Sequence, residues 1–536
     1  MEIVALMVIS LIFTTYLIEM MSKTEVKLVY VGTYKLGKNW FIRGEVAVLE
    51  FAIKYFSLNR KALEIELLNY DDYSLVMRLV RRRVRPALGG MEKVRVEIDT
   101  RELPIGLYLV QVHIGDKVYT SNTDPKYNYE KYPWIIAVME PFEMENRSSS
   151  KFPLLKVPYG LGVNIHFVIP RKIDLDMMHL AGISIVRMDL FWSYVESSPK
   201  KYNLDGYIQL AQELLKRSIR PLFILDYGSP LYDNGLPPSS ELGVRAFAEY
   251  AMYVVSRLDK EGNIIWEVWN EPNIEVFWKP KPNATQYAEL LKATLKAIRS
   301  ANPNAVVIAP ATSGVDLEFI EKLLKIGALR GIDAISVHPY RDNIPETVLT
   351  DYKKLREILA KYGLNLPIVC SEWGYSTWSN GISMRRQAAY VVRMYITNLM
   401  EGIPITIIYD WKDDGPDINN AEHNFGLIAD YESAGLRLIK PAYFAIYNTA
   451  RILHDYVVKN YTIKDNVVIV EFVNEKNRKY VVWSFGGESE IALRVGWSKV
   501  KVTNLFGKTR IYEVMYGMLS LKVSEEPIFI ERYNSG

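Results

Sequence analysis

Between residues 159 and 453 the apolar positions follow two alternating rhythms. One is a short, nearly continuous apolar run that ends on a polar or aromatic tip. It recurs at residues 162–166, 185–189, 222–226, 264–271, 306–309, 334–338, 368–372 and 406–411. Runs of that length without polar alternation read as strands covered on both faces. The other rhythm places apolar residues three or four apart, the mark of one helical face. It fills about 175–180, 204–218, 242–258, 285–300, 317–329, 348–362, 384–401 and 442–453. Asn203 stands where a cap would start the second of these helices, and Asn302-Pro303 follows the fourth as a stop. Eight strand-helix pairs in about three hundred residues predict an α/β fold, a closed (β/α)8 TIM barrel. A doubly wound sheet would not demand eight units.

The rhythm changes on both sides of this region. Residues 25–140 carry short β-prone runs separated by turn signals such as Asn69-Tyr70-Asp71-Asp72 and Gly89-Gly90. They predict an N-terminal immunoglobulin-like β-sandwich. Residues 141–158, with Ser148-Ser149-Ser150, Pro153 and Pro158, read as a linker. Asn146-Arg147-Ser148 within it is a glycosylation sequon. From 454 to 536 helical patterns vanish and a C-terminal β-sandwich is expected. At the other end, residues 1–22 contain an apolar stretch at 3–18, bracketed by Glu2 and Glu19. It is long for a signal-peptide core and short for a membrane span. A secretion signal or a membrane anchor is the expectation, with an extracellular or outward-facing location. A cytoplasmic location stays open.

Composition narrows the chemistry. The formal charge is +3 over 536 residues, with near-equal acids and bases, so a nucleic-acid partner is not expected. The basic run Arg81-Arg82-Arg83-Val84-Arg85 reads as the solvated side of a strand or turn. Cys370 is the only cysteine, which excludes a disulfide framework and a cysteine-based metal site.

In a barrel of this kind the chemistry sits where the strands end. The tips here are Asn164 and His166, Arg187 and Asp189, Asp226-Tyr227, Asn270-Glu271, His338-Pro339-Tyr340, Glu372-Trp373 and Asp410-Trp411. A purely structural barrel needs no such series. Glu271 and Glu372 end the fourth and seventh strands, on opposite sides of the mouth, so their carboxylates can converge. A carboxyl at the tip of a buried strand is poorly solvated, which suits a general acid. Paired carboxyls about 5–5.5 Å apart act by double displacement with retention, and a gap of about 6.5–9.5 Å admits an inverting water.

The motifs Trp-Asn-Glu-Pro at 269–272, His-Pro-Tyr at 338–340 and Ser-Glu-Trp-Gly at 371–374 resemble the clan A glycoside hydrolases. The nearest groups are family 39, with its xylosidases and iduronidases, and the cellulase-like family 5. The resemblance covers about residues 160 to 450. It implies a retaining glycosidase in which Glu271 is the acid/base and Glu372 the nucleophile, without metal or organic cofactor. Where family 5 usually carries a histidine after its third strand, this chain has Asp226-Tyr227-Gly228.

Further expectations follow from this assignment. Arg187 and the Tyr340 hydroxyl hold Glu372 ionised, and Asn270 meets the sugar 2-hydroxyl. Trp411 offers a flat face to the ring. Asn164, His166, Asp226 and His338 line the pocket, and Asp410, Lys412 and Glu422 bind outer hydroxyls. Trp192, Trp266, Trp269, Trp373 and Trp378 divide between core and rim. The substrate is an oligosaccharide or polysaccharide, and an exo-β-glycosidase such as a xylosidase or glucosidase is favoured. An endo-β-glucanase, a transglycosylase and a barrel that binds glycan without cleaving it are the other readings.

Overall fold

The structure is a computed structural model that describes residues 24–54, 60–84, 91–120, 132, 134–144, 151–430 and 436–534. The apolar stretch 3–18, the Gly89-Gly90 turn and the 146–148 sequon lie outside the described residues. Among the described residues, no helix is long and apolar enough to cross a membrane.

Eight parallel strands close into a barrel in chain order. They are Leu161–Asn164, Ile185–Phe191, Arg220–Asp226, Ile265–Val268, Val306–Ser313, Ala334–His338, Ile368–Trp373 and Thr406–Ile408. They are called strands one to eight below. The first pairs with the eighth, which completes the ring. Strand alternation divides each strand's side chains between two cores. Ile185, Leu222, Ile265, Val306, Val369 and Ile407 fill the barrel interior. Val186, Phe223, Trp266, Val307 and Cys370 face outward and meet the apolar stripes of the surrounding helices. Every predicted helix is present. Asn203 Oδ1 accepts from the Asp205 N–H at 2.9 Å, but from one residue ahead of the expected place, since Leu204 holds the cap position. The fourth helix, Ala284–Ala301, stops two residues before Pro303.

The N-terminal region forms two sheets around a separate core that contains Phe51, Val96, Val110 and Trp134. One sheet holds Glu25–Gly32, Val46–Lys54 and Glu92–Asp99. The other holds Trp40–Ile42, Ile135–Met139, Gly106–Ile114, Lys61–Asn69 and Leu75–Val84. The last of these carries the arginine run. Arg81 and Arg82 pair with Glu64 and Glu92 across the surface, at 3.1 and 2.6 Å.

The C-terminal region is a six-stranded sheet beside a two-stranded one. Trp483 and Phe529 on the larger sheet belong to the same apolar core as the barrel helices. Arg393 on a barrel helix forks onto Glu346 at 2.8 and 2.7 Å, and Trp483 Nε1 donates to the same carboxylate at 2.7 Å. The N-terminal sheets join that core too, through Trp40, Leu107, Ile135 and Met139, and add polar contacts. Asn39 exchanges two hydrogen bonds with the backbone of Ile439, and the Tyr132 hydroxyl donates to Asp413 Oδ2 at 2.8 Å. That second contact holds the loop after strand eight, at the barrel mouth.

Candidate active site

Two local departures from regular strand geometry turn the glutamates into the mouth. Strand four ends at Val268, and Trp269 and Glu271 take left-handed backbone angles, φ 71° and 45°. Such angles cost non-glycine residues about 1–3 kcal/mol each and persist only where the surroundings enforce them. The Glu271 N–H donates to Ala311 O at 3.0 Å, and the Trp269 indole donates to Phe277 O at 3.1 Å. On strand seven, Val369 faces inward and Cys370 outward, so strict alternation would turn Glu372 outward as well. The pairing with strand eight slips between Cys370 and Trp373. This bulge re-aims Glu372 toward the axis. Cys370 packs among the helices while Glu372 reaches the site.

Arg187 lies between Glu372 and a third glutamate, Glu267, and is almost fully buried. A guanidinium has five N–H bonds, and all five find acceptors. Nε donates to Glu267 Oε2 at 2.7 Å, and Nη1 to Asn164 Oδ1 at 3.1 Å and to Glu372 Oε2. Nη2 donates to Asn270 Oδ1 at 2.7 Å and to His338 Nε2 at 3.3 Å. These contacts fix the partners' roles. Because Nε2 of His338 accepts, its hydrogen is assigned to Nδ1, which donates to Glu271 Oε1 at 2.8 Å. Because Asn270 accepts through its oxygen, its NH2 is left to donate to a ligand. The Tyr340 hydroxyl donates to Glu372 Oε1 at 2.8 Å. Glu372 therefore receives a donor on each oxygen. One oxygen of Glu271 and one of Glu372 lie within 4.8 Å of each other.

Glu267 had not been expected in the site. It lies two residues behind Trp269 on strand four, fully buried. Burial alone would raise its pKa, but the Arg187 charge outweighs that and leaves it below the ordinary 4.5. The signal was available, since one acid inside an apolar strand requires a buried cation. Asp226 is the opposite case. Burial and the Asp189 carboxylate push it well above the usual 3.8. A fully buried carboxyl beside a second carboxylate is held neutral more easily than ionised.

The other predicted residues group around the loop after strand eight. His166 Nδ1 donates to Asp414 Oδ2 at 2.7 Å, and Asp410 lies 3.7 Å away. Burial lowers the His166 pKa, but Asp414 and Asp410 outweigh it and carry it up to about 9. The Asn164 NH2, 3.0 Å from Nε2, opposes the second proton, while Nδ1–H satisfies Asp414 in either form. His166, Asp410, Trp411, Lys412 and Asp414 line a cleft of about 570 Å³. Lys412 pairs with Asp430 at 3.5 Å, and Glu422 accepts from the Tyr409 hydroxyl at 3.0 Å. The Tyr409 ring, which no sequence pattern marked, sits between His166 and Tyr340.

Several expectations change with this geometry. Trp411 is 1% exposed with Tyr443 against its ring, so it is wall and not an open platform. Asp226 has no free surface and acts on Asp189 instead of on a ligand. Arg187, Asn164 and His338 spend their polar atoms on one another, on the glutamates, on Asn270 and on His166, which makes them positioning groups. Trp192, Trp266, Trp269 and Trp373 are all core. Among the described residues, two groups bring three His, Asp or Glu donors within 4.8 Å: Glu271 with His338 and Glu372, and His166 with Asp410 and Asp414. In the first, hydrogen bonds among the members and to Arg187 and Tyr340 account for the donors' orientation; in the second, His166 is bonded to Asp414.

Residues 162–415, the barrel from its first strand to the loop after its eighth, match the family model of cellulase (glycosyl hydrolase family 5). A β-xylosidase of Geobacillus stearothermophilus is 29% identical over 152 residues, covering 24% of this chain. That match spans 30% of the relative's own length. These matches support a clan A glycoside hydrolase barrel, as the motifs do. Among solved structures, a family 39 glycoside hydrolase from the gut symbiont Bacteroides cellulosilyticus WH2 superposes with a TM-score of 0.70 at 21% identity. It covers 94% of this chain and 100% of its own. A monomeric β-xylosidase from Caulobacter crescentus CB15 gives 0.53 at 18%, covering 71% of this chain and 97% of its own. At these identities the likeness is one of fold. It extends past the clan A barrel to the flanking sheets in the first case.

Proposed function

We propose that this protein is a retaining β-glycosidase acting on oligosaccharides, with exo-cleavage and a xylosidase-type substrate favoured. The observation that carries the reading is the approach of the Glu271 and Glu372 carboxylates to within 4.8 Å. Oxygens that close suit the short carboxyl separation of a direct attack on the sugar better than the wider gap that admits an inverting water. The β-xylosidase similarity supports the choice of sugar.

In the first step a Glu372 oxygen attacks the anomeric carbon as the glycosidic C–O bond breaks. Glu271 gives its proton to the departing oxygen. Whichever Glu372 oxygen forms the ester, the other keeps one donor, Tyr340 or Arg187. The His338 Nδ1–H on Glu271 Oε1 stabilises the carboxylate left behind and assigns the proton to the other oxygen. In the second step that carboxylate takes a proton from water as the water attacks the anomeric carbon and releases Glu372. The Asn270 NH2 meets the 2-hydroxyl, a contact that strengthens as positive charge develops on the ring.

The test is hydrolysis of a panel of aryl β-glycosides and oligosaccharides, with NMR of the first-formed anomer. Release of the β-anomer and a loss of at least about a thousandfold in Glu372→Ala are expected. An α-anomer formed first, or an active Glu372→Ala, refutes the assignment. The cellulase-model match favours a second reading, endo-cleavage of a β-glucan, which internal products from long oligosaccharides would reveal. An extracellular or outward-facing location, through a signal or anchor at residues 3–18, goes with either reading. Cell fractionation tests it.

A further inference from the structure

The mouth of the barrel is divided. Strands one and eight present the polar cleft of His166, Asp410 and Asp414. Strands two, three and four present aromatic rings instead. Tyr194, on the short helix after strand two, is 74% exposed, and its ring centre lies 5.0 Å from that of Phe191. Phe191 lies 6.0 Å from Tyr227, and Tyr227 stacks on Phe277 at 5.5 Å with the planes 11° apart. Val276, beside Phe277, is 68% exposed. An apolar row left open at the edge of a polar cavity calls for an occupant.

Its position identifies that occupant. Tyr227 stands edge-on to Trp269 at 5.6 Å, and Asn270 and Glu271 follow Trp269 in the chain. The row therefore begins beside the acid/base and runs outward to Tyr194. The group that takes the Glu271 proton is the leaving group, so it departs along this side.

The row is also held rigidly. Trp192 stacks on Tyr232 at 5.0 Å and donates to Glu196 at 2.6 Å, which anchors the turn carrying Tyr194. Gly228 brings the loop after Tyr227 into close contact with its own return, where a Cβ would stand 2.3 Å from Gly235 O. A preformed platform loses little ordering entropy on binding.

We propose that Tyr194, Phe191, Tyr227 and Phe277 form the shelf for the leaving group, and that it takes a second pyranose ring by stacking on the ring's C–H face. The natural substrate is then a sugar linked to another sugar. This rests on the glycosidase reading above, and the test separates the two.

The experiment compares kcat/KM for a β-linked disaccharide with kcat/KM for the glycosyl fluoride of the same sugar. Both report the step in which Glu372 attacks, but fluoride is too small to touch the shelf. In Tyr194→Ala and in Phe277→Ala the disaccharide-to-fluoride ratio should fall about tenfold. Tyr516→Ala, at a fully exposed ring on the C-terminal sheets, is the distant control and should keep the wild-type ratio. If Phe277→Ala does not fold, Tyr194→Ala carries the test, since its ring is three-quarters exposed. A ratio within twofold of wild type, or an equal fall on both substrates, overturns the shelf and leaves the glycosidase reading standing. A wild-type protein that cleaves neither substrate overturns both.

Discussion

Replacing Arg187 by lysine keeps a positive charge and removes the fork. Arginine here satisfies five acceptors, on Glu267, Asn164, Glu372, Asn270 and His338. Lysine offers three N–H bonds from one nitrogen, so at least two acceptors lose their donor. A buried polar group left unpaired costs about 1–3 kcal/mol. Arg187→Lys should therefore destabilise the protein by about 2–6 kcal/mol. The kinetic loss should be larger than stability alone suggests, because Glu372, Asn270 and the His338–Glu271 pair share this one anchor. A misplacement of about 1 Å at reacting atoms costs about a hundredfold, and a loss of at least that size in kcat/KM is expected. Thermal or urea unfolding gives the first quantity, and hydrolysis of an aryl β-glycoside at a temperature where the variant is folded gives the second. A variant within about 0.5 kcal/mol of wild type and within threefold in kcat/KM would refute the argument. It would mean that charge alone, and not the five-way geometry, holds the site.

Three further outcomes follow from other contacts. Glu267 sits below its ordinary pKa of 4.5 in the folded protein, so its contribution to stability is full above about pH 4.5 and is lost as pH falls through the depressed value. The difference in melting temperature between wild type and Glu267→Gln should shrink on acidification over that range; a constant difference contradicts the ion-pair account. Arg393→Met should cost about 3–5 kcal/mol, because Glu346 is left charged and buried. The double variant with Glu346→Gln should recover part of this loss in thermal unfolding. Tyr132→Phe removes the hydroxyl that holds Asp413 at 2.8 Å. About 1 kcal/mol of stability should go with it, together with a raised KM, since the loop after strand eight lines the cleft. An unchanged KM would limit the N-terminal sheets to packing.

The sequence by itself determined the architecture of the barrel and the residues that converge at its mouth. Apolar runs and helical stripes have different periods, and eight repeats of that contrast left little choice of topology. The strand tips then named Glu271, Glu372, Arg187 and His338, because a barrel gathers whatever ends its strands. What the tertiary structure alone decided is which atoms face which. Alternation would have turned Glu372 away with Cys370, and only the slip in pairing with strand eight turns it inward. That slip depends on a neighbour in space, so no local pattern records it. Glu267 and the Asp189–Asp226 pair are similar cases, since a buried charge is settled by partners on other strands. Trp411 and Tyr194 exchange the roles that residue type suggests: the tryptophan is wall and the tyrosine is open. Burial of a single ring depends on what packs over it, and that is decided by loops from distant parts of the chain.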